Sequence, residues 1–195
     1  PYNFINYLRD HYDRAGWAGL YELLSKTYFR KYTSREGTPI YDCDWDLLVI
    51  LDACRTDLLD SLSEDHDFLT HCGTVVSTGS QSKEWMQSNF TEEYHQEMSE
   101  TAYVCSNPFS KDVLDPQDFY LLEEVWQYGW DDTKGTVPAR PVTDTAIQVS
   151  RTESPSRMIV HYMQPHVPFI GAEMFADVGL EEFGSVWNLG DTWDR

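Results

Sequence analysis

Asp52 closes a run of five aliphatic residues, Leu47–Leu51, and is followed by Ala53-Cys54-Arg55-Thr56-Asp57. A carboxylate at the end of an apolar strand stands where open α/β sheets hold their ligands, and it can ligate a divalent cation. Two other segments bring complementary groups. Ser77-Thr78-Gly79-Ser80-Gln81-Ser82 places hydroxyls ahead of a helical pattern. A hydroxyl at a helix N-terminus beside a metal can be deprotonated toward a nucleophile. Later, His161 leads into Gln164-Pro165-His166-Val167-Pro168, where His166 is stiffened by flanking prolines. Such an imidazole can bind an anionic substrate or protonate a leaving group. Acid, hydroxyl and imidazole around one cavity suit phosphoryl or sulfuryl transfer.

Each residue also has a plainer use. Asp52 could cap the helix after it, and Ser82 could cap the next, with Glu84 complementing the dipole. His161, inside a strand, reads as a satisfied core or edge histidine. Arg55 is either a contact for a substrate anion or the ion-pair partner of Asp57 or Asp60 on its own helix. Asp57 reads as a solvated helix acid. Cys54 would act as a nucleophile only with a depressed thiol pKa.

The elements that must position these groups alternate along the chain. Apolar residues at helical spacing over Tyr2–Arg14 and Trp17–Tyr32, broken at Gly16, predict two amphipathic helices, with the domain proper starting near residue 37. Leu47–Leu51 predicts a strand buried on both faces. A helix over Ala53–Leu62, a second strand over Gly73–Ser77 and a helix over Ser82–Phe90 follow. A short strand is expected over Ala102–Ser106, helices over Phe119–Tyr128 and Thr143–Val149, and a fourth strand over Met158–Met163. Strands separated by helices predict an α/β fold with a mostly parallel sheet covered on both faces by helices. No internal repeat and no G-x-G-x-x-G occur.

Composition narrows the class of partner. The 195 residues carry 33 acids against 14 Lys and Arg, a net charge of −19. Such a surface repels nucleic acid, which needs clustered cations. Only five of the cations are Lys, and acid-rich, lysine-poor composition resembles proteins of salt-loving archaea. The expected consequence is a salt requirement for folding, because salt screens self-repulsion. The melting temperature should rise from dilute to molar KCl, and an unchanged value would refute the expectation. Cys43, Cys54, Cys72 and Cys105 show neither C-x-x-C spacing nor a paired His motif, so reduced thiols are expected. No apolar run reaches membrane-spanning length, and a cytoplasmic location is the expectation. Homo-oligomerisation stays open. Asn89-Phe90-Thr91 matches a glycosylation triplet of a kind that arises often by chance.

Taken together, LLVILDACRTD, STGSQS and HYMQPHVPF resemble the sulfatase-like branch of the alkaline phosphatase superfamily, over about Asp46–Phe169. The resemblance implies an alkaline-phosphatase-like α/β domain over residues 37–195, after N-terminal helices in residues 1–36. It implies a metal-dependent hydrolase or transferase acting on small anionic phosphate or sulfate esters. Asp52 would be a metal ligand, for Mn, Zn, Mg or Ca. Ser82 would be the nucleophile and also meet the metal, with Ser80 and Thr78 as alternatives, and His166 would contact substrate or leaving group. Sulfatases proper make formylglycine in C-x-P-x-R, which is not found here, so a phosphatase-like reaction is favoured. The family's late Asp-His or Asp-Asn pair has no counterpart, since the Asp-His pairs Asp10-His11 and Asp65-His66 both fall early in the chain. The expectation is therefore a domain incomplete at its C-terminus, with weak or no activity by itself. Two readings compete. Asp52-Ala53-Cys54-Arg55-Thr56 also resembles the opening motif of haloacid-dehalogenase-type phosphatases, in which Asp52 itself would be the nucleophile and Gly190-Asp191 a faint late echo. Alternatively, the fold is a non-catalytic binding or scaffold module.

Overall fold

The computed structural model describes residues 37–63, 65–70 and 73–170, together with Tyr12, Gly16, Trp17 and Tyr21. Apart from those four residues, the expected helices over 2–32 lie outside the described residues, as do Cys72 and the Gly190-Asp191 segment. The chain divides into two units, Pro1–Thr38 with Thr74–Thr78, and Pro39–Gly73 with Gly79–Arg195. In the first unit, Thr38 N–H donates to the Val76 carbonyl at 2.9 Å. The expected strand over Gly73–Ser77 does not form among the described residues. Val75 and Val76 are exposed, and among the described residues no strand pairs with them.

The second unit is an α/β fold. Its sheet contains β1 (Leu47–Leu51), β2 (Thr101–Cys105), β3 (Leu121–Glu124) and β4 (Arg157–Tyr162), in the order β1-β4-β2-β3. Every pairing is parallel. Helices α1 (Thr56–Ser63), α2 (Ser82–Asn89) and α3 (His95–Ser99) precede β2. Two short helices, α4 (Ser110–Val113) and α5 (Trp126–Gly129), flank β3, and α6 (Ala139–Thr152) precedes β4. One face of the sheet packs Ala102, Val104, Met158 and Val160 against Val142 and Val149 of α6. The other packs Tyr103, Cys105 and Ile159 against Met86 of α2 and Met98 of α3, with Tyr41 and Phe119. Helices thus pack on both faces of the sheet over its central strands β2 and β4.

The strands buried on both faces are β2 and β4. β1 differs from expectation because it is the edge. Leu48 and Ile50 reach the core beside β4, while Leu47, Val49 and Leu51 are 56, 50 and 39% exposed among the described residues. The expected helix over Phe119–Tyr128 is also corrected. Leu121 packs on one face of the sheet and Leu122 on the other, a period of two that makes β3, and only Trp126–Gly129 turns helical. α1 starts three residues later than expected, since Ala53 adopts φ +59°, which a right-handed helix cannot contain. α6 is longer than its apolar pattern suggested; it begins directly after Pro138 and carries Pro141 within its first turn, where a missing N–H costs nothing.

Asn89 is fully buried, accepting from Ile40 N–H and donating to the Trp85 carbonyl, both at 2.8 Å, so the folded chain does not offer it for glycosylation. Cys43, Cys54 and Cys105 are free thiols. No described helix is long and apolar enough to cross a membrane.

Candidate active site at the carboxyl edge of the sheet

Three parallel strands deliver side chains to one edge. β1 ends in Asp52, whose N–H is held by the Tyr162 carbonyl at 3.1 Å, tying it to β4. β2 ends at Cys105 and passes through Ser106 to Asn107. β4 contributes His161 near its end and then the loop that carries His166. This is the edge where open α/β sheets bind ligands.

Asp52 Oδ2 is the meeting point. Ser82 Oγ donates to it at 2.8 Å and Asn107 Nδ2 at 3.0 Å. His161 Nε2 lies 3.8 Å from the same oxygen, longer than a hydrogen bond and within ion-pair range. Neither capping alternative holds for these two residues. Asp52 precedes α1 by four positions, and the residue before the first helical position of α2 is Gln81, with Ser82 inside the helix. The capping contacts at α2 belong instead to Glu84, which accepts from Ser80 N–H at 3.0 Å and Ser80 Oγ at 2.8 Å. Ser80 is thereby engaged, and the Ser82 hydroxyl is aimed at Asp52. Because Ser82 starts α2, its hydroxyl sits at the positive dipole end of that helix.

The Ser80–Ser82 turn is tight. A Cβ built on Gly79 would fall 2.3 Å from Trp85 N and 2.7 Å from Glu84 C. Both atoms are backbone, so the first turn of α2 would have to move. Gly79→Ala should cost about 1–3 kcal/mol of stability by forced repacking and weaken any chemistry at Ser82. Urea unfolding measures the first, and wild-type stability in the variant would contradict the stated geometry.

Burial raises the Asp52 carboxyl, but the facing His161 imidazole, the hydrogen bond from the Ser82 hydroxyl and nearby His166 outweigh it, leaving the group below its ordinary value. Burial likewise lowers His161, yet Asp52 and Cys105 override it and raise the imidazole to about 9. At neutral pH the two form a carboxylate–imidazolium pair. His166 Nδ1 lies 2.7 Å from the Val167 carbonyl, which can only accept, so Nδ1 carries a proton. Its N–H is held by the Met163 carbonyl at 2.9 Å.

The structure thus brings Asp52 and Ser82 into direct contact, with His166 within electrostatic range. Arg55 is placed elsewhere. It forks onto Asp57 through Nε and Nη2, both at 2.8 Å, with its side chain 81% exposed. It lines a shallow hollow with Val49, Leu51, Cys54, Thr56 and Leu59, on the side of β1 that carries Val49 and Leu51. The ion-pair reading of Arg55 is the one observed. Burial and the Asp57 charge raise the Cys54 thiol, the opposite of what a nucleophile needs.

Asn107 and the part played by His161 escaped sequence reasoning. Asn107 follows a short strand with no local signal beyond an Asn before Pro108. His161 carried a signal in hindsight: it is the one polar residue among Met158, Ile159 and Val160, at a position facing the core.

Asp52 and Ser82 are hard oxygen donors of the kind a divalent cation accepts. Among the described residues, however, no three His, Cys, Asp or Glu side chains come together, and an oxygen-ligated cation needs about six donors. The described residues fall short of such a site. Comparison with known proteins returns no relative: no family model, curated protein or solved structure matches the chain.

Proposed function

We propose that this edge of the sheet is a group-transfer site for small phosphate or sulfate esters, of the sulfatase-like alkaline phosphatase type, with phosphate the favoured class. The observation that carries the reading is the 2.8 Å bond from the Ser82 hydroxyl to Asp52 at the start of α2. In the proposed reaction Ser82 Oγ attacks the phosphorus or sulfur atom, and its proton passes to Asp52 as the new bond forms. A carboxylate of low pKa suffices for this, because in a loose transition state the proton moves late. The ester oxygen departs as an alcohol, receiving its proton from His166 as general acid. The N-terminus of α2 favours the anionic group throughout. Water then attacks the Ser82 ester, giving a proton to His166, while Ser82 recovers its own from Asp52 and phosphate or sulfate is released. A second alcohol in place of water makes the same site a transferase.

The test uses p-nitrophenyl phosphate and p-nitrophenyl sulfate in molar KCl, with and without Mn²⁺, Zn²⁺, Mg²⁺ or Ca²⁺, the ions that Asp52 and Ser82 would meet first. Release of p-nitrophenol and a phosphoryl or sulfuryl mass on the Ser82 peptide, both lost in Ser82→Ala, are expected. A label on Asp52 that hydroxylamine removes and Asp52→Asn abolishes would replace this reading with the haloacid-dehalogenase type. Neither turnover, label nor ester binding would leave a binding or scaffold module.

A further inference from the structure

The site does not end at Asp52. Behind it, His161 is 2% exposed and Tyr103 fully buried, and the two rings lie parallel within 3° with centroids 6.2 Å apart. Tyr103 OH and His161 Nδ1 are 2.8 Å apart, and the other ring nitrogen, Nε2, faces Asp52 at 3.8 Å. Trp85 of α2, three residues after Ser82, closes edge-on against the same imidazole at 5.9 Å.

These are expensive groups to bury without a purpose. In register, His161 sits between Ile50 of β1 and Cys105 of β2, on the face that packs Ile159, Met86 and Phe119. An aliphatic side chain would satisfy that position, whereas a buried ring nitrogen without a partner costs about 1–3 kcal/mol. Both ring nitrogens are nevertheless directed, one at Tyr103 and one at Asp52. The strand on either side is pinned as well. The Ser106 hydroxyl and N–H both donate to the His161 carbonyl, at 2.6 and 3.1 Å, locking β4 to the end of β2. The Tyr103 phenol, pushed well above its ordinary value chiefly by burial, stays protonated and neutral. A line of four side chains therefore runs from core to surface: Tyr103, His161, Asp52, Ser82.

We propose that Tyr103 and His161 are positioning residues for the reaction at Ser82: Tyr103 sets the ring of His161, and His161 holds Asp52 in the orientation that receives the Ser82 hydroxyl. The proposal rests on the reading of Ser82 and Asp52 as the group-transfer pair. Neither residue touches substrate, so their loss should lower kcat and leave KM unchanged.

Tyr103→Phe keeps the stacked ring and removes only the hydroxyl. On p-nitrophenyl phosphate, kcat should fall about 10- to 100-fold with KM within twofold and a wild-type far-UV circular dichroism spectrum. His161→Gln places an amide N–H where Nε2 stood and should retain at least tenfold more kcat than the near-isosteric, non-bonding His161→Leu. A Tyr103→Phe variant with wild-type kcat, or glutamine and leucine variants of equal kcat, overturns the positioning role. A readout without turnover keeps the proposal separate from the reading beneath it. In ¹⁵N-labelled protein the His161 Nε2 resonance should move in Asp52→Asn and the Nδ1 resonance in Tyr103→Phe. If wild-type protein turns over no ester while both resonances move, the group-transfer reading fails and the buried line of contacts stands. If neither resonance moves, the line itself is refuted.

Discussion

Replacing Asp52 with alanine should lower the free energy of unfolding by about 3–5 kcal/mol at pH 6, the range for breaking a buried charge pair. The His161 imidazolium, 2% exposed, would lose its only counter-charge among the described residues, and the Asn107 amide would lose its acceptor. The imidazole escapes by shedding its proton, which bounds the loss. The same substitution should cost much less at pH 10, where His161 is already neutral in the wild type. Urea unfolding at the two pH values in EDTA reads both numbers. A loss under about 1 kcal/mol at pH 6, or equal losses at pH 6 and 10, would contradict the buried pair.

Wild-type stability should fall as pH climbs from 6.5 toward 9 and beyond. The folded pKa of His161 is raised from 6.5 to about 9, so its contribution is whole below 6.5 and is lost through about 9. A shift of that size is worth up to about 3 kcal/mol. Asp52 works in the opposite sense. Its pKa is lowered from 3.8, so its contribution is present above that value and is lost as pH falls below it. The pair is therefore worth most between about pH 4 and 6.5. The other carboxylates of this acidic chain are already ionised across the alkaline window, so their mutual repulsion stays nearly constant there. In His161→Gln the alkaline decline due to this residue should vanish, leaving a flatter profile between pH 6.5 and 9. An alkaline slope identical to wild type would assign the decline to other groups.

Both expectations concern a pair only half visible in the chain. Asp52 announced itself by position, an acid at the end of an aliphatic run. That signal is local and survived folding, because a strand of that composition leaves little choice about which residue emerges at its end. Ser82 was legible for a similar reason: a small-residue loop before a helical pattern puts a hydroxyl in the first turn. His161 was read as a core histidine, and it is one. What makes it more is Tyr103, 58 residues earlier, and Asp52, more than a hundred residues earlier, brought together only when β4 inserts between β1 and β2. Arg55 shows the converse. Its guanidinium was chemically suitable, but a partner two residues away captured it on the exposed side of β1.

Read alone, the sequence determined the alternation of strands and helices, the parallel α/β class and the start of α2, because hydrophobic period and chain-breaking residues act over a few positions. Strand order was decided by tertiary structure. It made β1 an edge with one open apolar face, converted the segment around Leu121 from helix to strand, and left Gly73–Ser77 outside the sheet. Each of these depends on which distant residues lie alongside, and burial against neighbours outweighs local propensity by several kilocalories per mole. The same ordering decided that an acid, a hydroxyl, an amide and a buried imidazole share one corner of the molecule.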